Sequence, residues 1–121
     1  MTQHRGLTSQ RWRAFTRDQQ ILMIANEMQR ASQLNGREDH ARLHRTYERV
    51  LRLVDLTVEV AEERGLRREL LRWRDLVAEL YLRQGLDPEA HHAVFLALLL
   101  LNPASARQRA YVLQEAPAPA N

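Results

Sequence analysis

Residues 38–64 read EDHARLHRTYERVLRLVDLTVEVAEER, and their periodicity decides the fold class. At 100° per residue, Leu43, Tyr47, Val50, Leu51, Val54, Val58 and Ala61 fall within one sector of about 100°. No alternation of the strand kind competes with that pattern. The stretch is therefore one long amphipathic helix of about 27 residues, about 40 Å at the standard rise. Gly65 is expected to end it. Leu53, Leu56 and Val60 lie outside the main apolar sector and are expected to leave apolar surface uncovered.

The segments on either side are helical too. On the C-terminal side a helix is predicted over 67–84, with a narrow polar stripe of Arg68, Arg72, Asp75, Glu79 and Arg83. Leu70, Trp73, Val77, Leu80 and Tyr81 face the other way. The next helix opens at Asp87-Pro88-Glu89, with Asp as cap and Pro in the first turn, and closes at Asn102-Pro103. From Ala93 to Leu101 it is apolar all round, as expected of a helix that is central in a bundle or shared between subunits. On the N-terminal side, Thr16-Arg-Asp-Gln19 has capping-box spacing and starts a helix that runs to Asn35-Gly36. Ser9 could cap a short turn holding Trp12 and Phe15. Residues 105–115 read as a short helix anchored by Val112 and Leu113, and 116–121 as a disordered Ala/Pro tail. The expected fold is thus all-α: a small bundle of four main helices over 16–115 with antiparallel neighbours, preceded by a basic N-terminal arm, 1–15.

Composition narrows the function classes. A chain of 121 residues is one domain, and 45% apolar with 27% charged residues is that of a folded globular chain. Cysteine is absent, which removes disulfides, thiolate metal sites and thiol chemistry. All 18 basic residues are arginine, against 15 acids. Residues 1–17 carry Arg5, Arg11, Arg13 and Arg17 and no acid, so the whole excess of +3 sits in the first segment. No apolar stretch precedes Ile21, and the longest apolar run, Ala93 to Leu101, falls far short of the roughly 20 residues a membrane span needs. A cytoplasmic protein is expected.

Residues 76–85, Leu-Val-Ala-Glu-Leu-Tyr-Leu-Arg-Gln-Gly, followed by Glu89-Ala90, Val94, Ala97 and Leu101-Asn102-Pro103, resemble a single tetratricopeptide (TPR) repeat over 71–103. Ala78, Tyr81, Gly85, Ala90 and Ala97 stand where that family has small, Tyr and Gly positions, and Pro103 falls one position late. The resemblance implies a helical hairpin that binds peptides or proteins. Residues 38–64 do not repeat the pattern, and such arrays ordinarily need about three copies.

Catalytic patterns are sparse. His40, His44 and Glu48 line one edge of the long helix, but the spacing of a known zinc motif is missing. Glu89 and His92 form one Glu-x-x-His where a di-iron bundle needs two and further Glu residues. Arg37 and His44 fit the loose Arg-x(4–6)-His spacing of HEPN-type ribonucleases, at the start of a helix rather than later. No phosphate loop or nucleophile elbow is present. No metal, no cofactor and no catalytic residue is assigned, and the expected function is not enzymatic.

The apolar excess of the third and fourth main helices instead predicts a protein–protein interaction or adaptor subunit, self-associating or docked on a partner, with Trp73, Val77, Leu80, Phe95, Leu98 and Leu99 as contact residues. The alternative is an accessory nucleic-acid-binding subunit. Its candidates are Arg11, Trp12 and Arg13, where basic residues interleave with an aromatic, and the Arg42, Arg45, Arg49 and Arg52 stripe opposite the long helix's core face.

Overall fold

The computed structural model of the chain describes residues 7–101. Five α-helices occupy them: α1 (Ser9–Arg13), α2 (Arg17–Ala31), α3 (His40–Val60), α4 (Arg64–Tyr81) and α5 (Pro88–Leu99), with a 3₁₀ turn at Arg37–Asp39. The all-α class and the four main helices are as the periodicity predicts. The predicted 105–115 helix and the Ala/Pro tail lie outside the described residues.

Local signals place most of the helix starts. The Thr16 hydroxyl accepts from the Gln19 N–H at 3.1 Å while Gln19 Oε1 accepts from the Thr16 N–H at 2.8 Å, a closed capping box. Asp87 Oδ1 accepts from the Ala90 N–H at 3.1 Å and Pro88 opens α5.

The four long helices close a ring. α3 packs on α2 and α4, and α5 packs on the same two from the opposite side. Neighbours run antiparallel: Asp55 pairs with Arg74 while His44 stacks on Tyr81, and Glu27 pairs with Arg49 while Arg17 pairs with Glu63. The core fills the ring with Ile21, Ile24, Met28, Leu43, Tyr47, Val50, Val54, Leu70, Trp73, Val77 and Leu98 among others.

Three expectations are corrected here. First, Gly65 does not end the long helix. α3 stops at Val60, Ala61 turns extended at φ −68° and ψ 126°, and Gly65 lies in the first turn of α4. Glu62 and Glu63 explain the shift. Carboxylates oppose a helix C-terminus and suit an N-terminus, so the acid pair belongs to the start of α4. Arg67 also donates to the Ala61 carbonyl at 2.6 Å, holding the break.

Gly65 has no positive φ, and a Cβ there would meet nothing within 4 Å. Gly65→Ala is therefore expected to raise stability by about 0.5 kcal/mol, by restricting the unfolded chain. Urea denaturation of the two chains checks it.

Second, residues 9–15 are not an arm. α1 packs on α3, and Trp12 is fully buried with its indole N–H on Thr57 Oγ1 at 2.9 Å. Third, Leu53 and Leu56 leave no apolar surface. Both are buried, on the side of α3 that receives α2 and α1, and Val60 is half-buried against the same core.

Candidate functional site

The six residues expected to contact a partner all point inward. Trp73, Val77, Leu80, Phe95, Leu98 and Leu99 are each at most 5% exposed. Trp73 also donates its indole N–H to the Val94 carbonyl at 2.7 Å, tying α4 to α5. They are core of this chain and offer no surface. Ring closure is the reason: it gives α4 and α5 two neighbours each, so the broad apolar arcs are consumed within the chain.

The apolar surface that remains is elsewhere. Leu82 is 80% and Leu100 63% exposed, and Leu71, Leu76 and Leu22 are each more than a third exposed. Four of these five leucines belong to α4, or to the residues capping α4 and α5. The outward face of α5 carries Ala93, Ala97 and Leu100, and no Asp, Glu or Arg occurs from Ala90 to Leu101. An outer helix of a bundle ordinarily puts its charges there. A shallow groove of about 540 Å³ continues this face between α4 and α5, lined by Leu66, Glu69, Ala97 and Leu100 and bordered by the Arg17–Glu63 pair at 2.6 Å.

The arginine stripe is dispersed. Arg49 turns inward, its Nε 3.2 Å from Glu27 Oε2 and its Nη2 3.1 Å from Thr46 Oγ1, with the side chain only 14% exposed. Arg42 lies 3.7 Å from Asp39, and Arg52 reaches the Leu7 carbonyl at 3.4 Å. Arg11, Arg13 and Arg45 are exposed. Trp12, buried under α1, has no ring face to offer a base. The stacking element of the nucleic-acid alternative is therefore missing, and one of its four stripe arginines is an internal partner.

The histidines separate into distinct structural roles. His44 stacks on Tyr81, ring centres 4.8 Å apart. His40 packs against Gly85, where a Cβ would stand 2.9 Å from its Nε2. Among the described residues no three His, Asp or Glu side chains gather as a metal site would require.

His91 is a polar residue of the core that the sequence reading did not single out. It is 2% exposed, with Nε2 2.8 Å from the Met28 carbonyl and Nδ1 2.7 Å from the Tyr47 hydroxyl. The carbonyl can only accept, so Nε2 carries a proton, and burial favours the neutral ring, in which Nδ1 accepts from Tyr47. Its place on α5 one turn before Phe95 is the only sequence signal that it faces inward. Burial pushes the His91 pKa down, the Met28 bond offsets part of this, and neighbouring His92 adds to the depression. Burial raises the Tyr47 hydroxyl, with smaller opposing effects from Arg83 and Asp87, so it stays protonated as donor.

A depressed folded-state pKa means that the unfolded chain binds the proton more readily. This contribution to stability is full above about pH 6.5 and is lost as pH falls below it. Urea midpoints at pH 7.5 and pH 5 are expected to fall with acidity, and His91→Gln, which can keep both bonds, to flatten that slope. Tyr47→Phe leaves Nδ1 without a donor and is expected to cost about 1–3 kcal/mol at neutral pH, read in the same titration.

Among the described residues no helix is long and apolar enough to cross a membrane. Compared with known protein families, curated proteins and solved structures, the chain matches none.

Proposed function

We propose that this chain is a non-catalytic helical interaction subunit that docks on another protein surface through the α4–α5 side of its bundle. One observation carries the reading: Leu76 and Leu100 are both exposed on that side, and no Asp, Glu or Arg follows Glu89 along α5. Leaving Leu76 and Leu100 partly in water, at 41% and 63% exposure, forgoes burial worth about 0.6–2 kcal/mol for each leucine covered. The contact residues are the outward ones, Leu76, Ala93, Ala97 and Leu100, in place of the inward six. The TPR-like hairpin proposed for 71–103 assigns peptide or protein binding to the same two helices.

The test is cross-linking of the tagged full chain in its source cells, compared with Leu76→Glu and Leu100→Glu. A complex of fixed stoichiometry, present with the wild type and lost with both variants, is expected. Absence of any complex, homomeric or mixed, that depends on these two leucines would refute the reading.

A further inference from the structure

We infer that the surface covering the outward face of α5 is a second copy of this chain, set antiparallel across a two-fold axis. The inference rests on the interaction-subunit reading and names its partner.

An isologous contact sets each residue against a fixed position of an identical face, so any charge there must meet an acceptable counterpart. From Ala90 to Leu101 there is no formal charge to repel its copy. Ala93 and Leu100 lie seven residues apart, on one outward stripe of α5. With the axis passing between Leu96 and Ala97, Leu100 falls over the partner subunit's Ala93, and Ala93 lies under the partner subunit's Leu100. A large residue thus meets a small one twice, the arrangement that lets two helices approach closely.

The flanking helices agree with this placement. Trp73 is level with Val94, so the axis crosses α4 near Leu70 and Leu71. Glu69 lies on the α4 edge that borders the groove beside Ala97 and Leu100. It pairs with Arg72 at 3.2 Å within the chain, and the two side chains are half or more exposed. The two-fold sets Glu69 opposite the partner subunit's Arg72 and Arg72 opposite the partner subunit's Glu69, so both edges gain an opposite charge. On the other flank, Met28 is level with His91, which puts the axis near Leu22. Exposed Leu22 then meets its own copy.

The experiment is light scattering on the full chain across a wide concentration range. The expected mass is twice 14.2 kDa, declining toward 14.2 kDa on dilution. Leu100→Glu and Ala93→Glu are surface changes whose folding is checked by circular dichroism. Each is expected to weaken the dimer by more than about tenfold, since each buries a carboxylate against an apolar face. Glu69→Arg alone and Arg72→Glu alone are expected to weaken it less, and the double swap to restore it.

A monomer at every concentration overturns the inference, as does a dimer indifferent to both α5 variants. The broader reading is judged separately. If the wild type is monomeric yet forms a stoichiometric complex with a different chain that Leu100→Glu abolishes, the copy is wrong and the interaction subunit stands. If no complex of any composition depends on Leu100 or Leu76, both fall.

Discussion

Trp12→Ala is expected to lower the unfolding free energy by about 3–5 kcal/mol, the usual cost of truncating a fully buried aromatic. Trp12 is 0% exposed and meets Phe15 edge-on with ring centres 5.6 Å apart. Its indole N–H reaches Thr57 Oγ1 at 2.9 Å, and that hydroxyl donates onward to the Leu53 carbonyl at 2.7 Å. The Trp12 carbonyl accepts from Gln20 Nε2 at 3.0 Å, so α1 is also held to the start of α2. Losing the ring opens a cavity between α1 and α3 beside Thr57. Against a typical total of about 5–15 kcal/mol, the loss is a large fraction of the protein's stability. Trp12→Phe keeps most of the ring volume but strands the Thr57 hydroxyl as acceptor, and is expected to cost about 1–3 kcal/mol. Urea denaturation followed by circular dichroism separates the two variants. An unchanged midpoint for Trp12→Ala would return the first fifteen residues to the status of a detached basic arm.

The second large effect concerns Glu27 and Arg49. Glu27 is 3% exposed, and Arg49 crosses from α3 to meet it at 3.2 Å. Arg30, nearly half exposed, also pairs with it at 3.3 Å. Arg49→Met is expected to destabilise by about 2–4 kcal/mol, because a desolvated carboxylate loses the partner that is itself largely buried beside it. Replacing both residues, Glu27→Leu with Arg49→Leu, is expected to cost far less than the two single changes together, since two well-packed apolar groups remove the uncompensated charge. The double-mutant cycle should show a coupling of about 1–3 kcal/mol. Additive losses would mean that the pair is hydrated and that Arg49 is a surface arginine after all. Arg49→Met is also the variant that the nucleic-acid alternative requires to weaken binding to a polyanion, and an internal Arg49 makes no such contribution.

Short-range signals were legible wherever the interaction spans three or four residues. Thr16 with Gln19 and Asp87 with Ala90 are caps that close on themselves, and both helices start where those residues say. The heptad-like recurrence of Leu43, Tyr47, Val50 and Val54 identified the core side of α3, because a 3.6-residue period sets which side chains share a face. Gly65 was misleading for a related reason. Glycine permits a helix to stop, but the acid pair Glu62 and Glu63 and the grip of Arg67 on the Ala61 carbonyl place the break earlier.

The candidate site was half legible. Leucine content pointed to the α4–α5 side that is proposed here, but the residues named on it were those that the fold buries. Trp73 and Phe95 are large and apolar, which makes them equally good as core and as contact. Their fate depends on which neighbour arrives, and that neighbour comes from far along the chain. His91 was passed over because nothing local distinguishes it from His92. Met28 and Tyr47, its hydrogen-bond partners, lie 63 and 44 residues away.

The sequence by itself determined that the chain is all-α, where most of its helices begin, and which residues share each stripe, because these follow from hydrogen bonds and side-chain spacing within a turn or two. Tertiary structure alone decided which stripes are covered. α1 folds back to bury Trp12 against Thr57, Glu27 draws Arg49 inward, and ring closure turns Trp73 and Phe95 to the core while leaving Leu76, Ala93 and Leu100 outside. A helix with apolar residues on more than one side has several faces it can bury at similar gain, and only the arrival of the other helices selects among them.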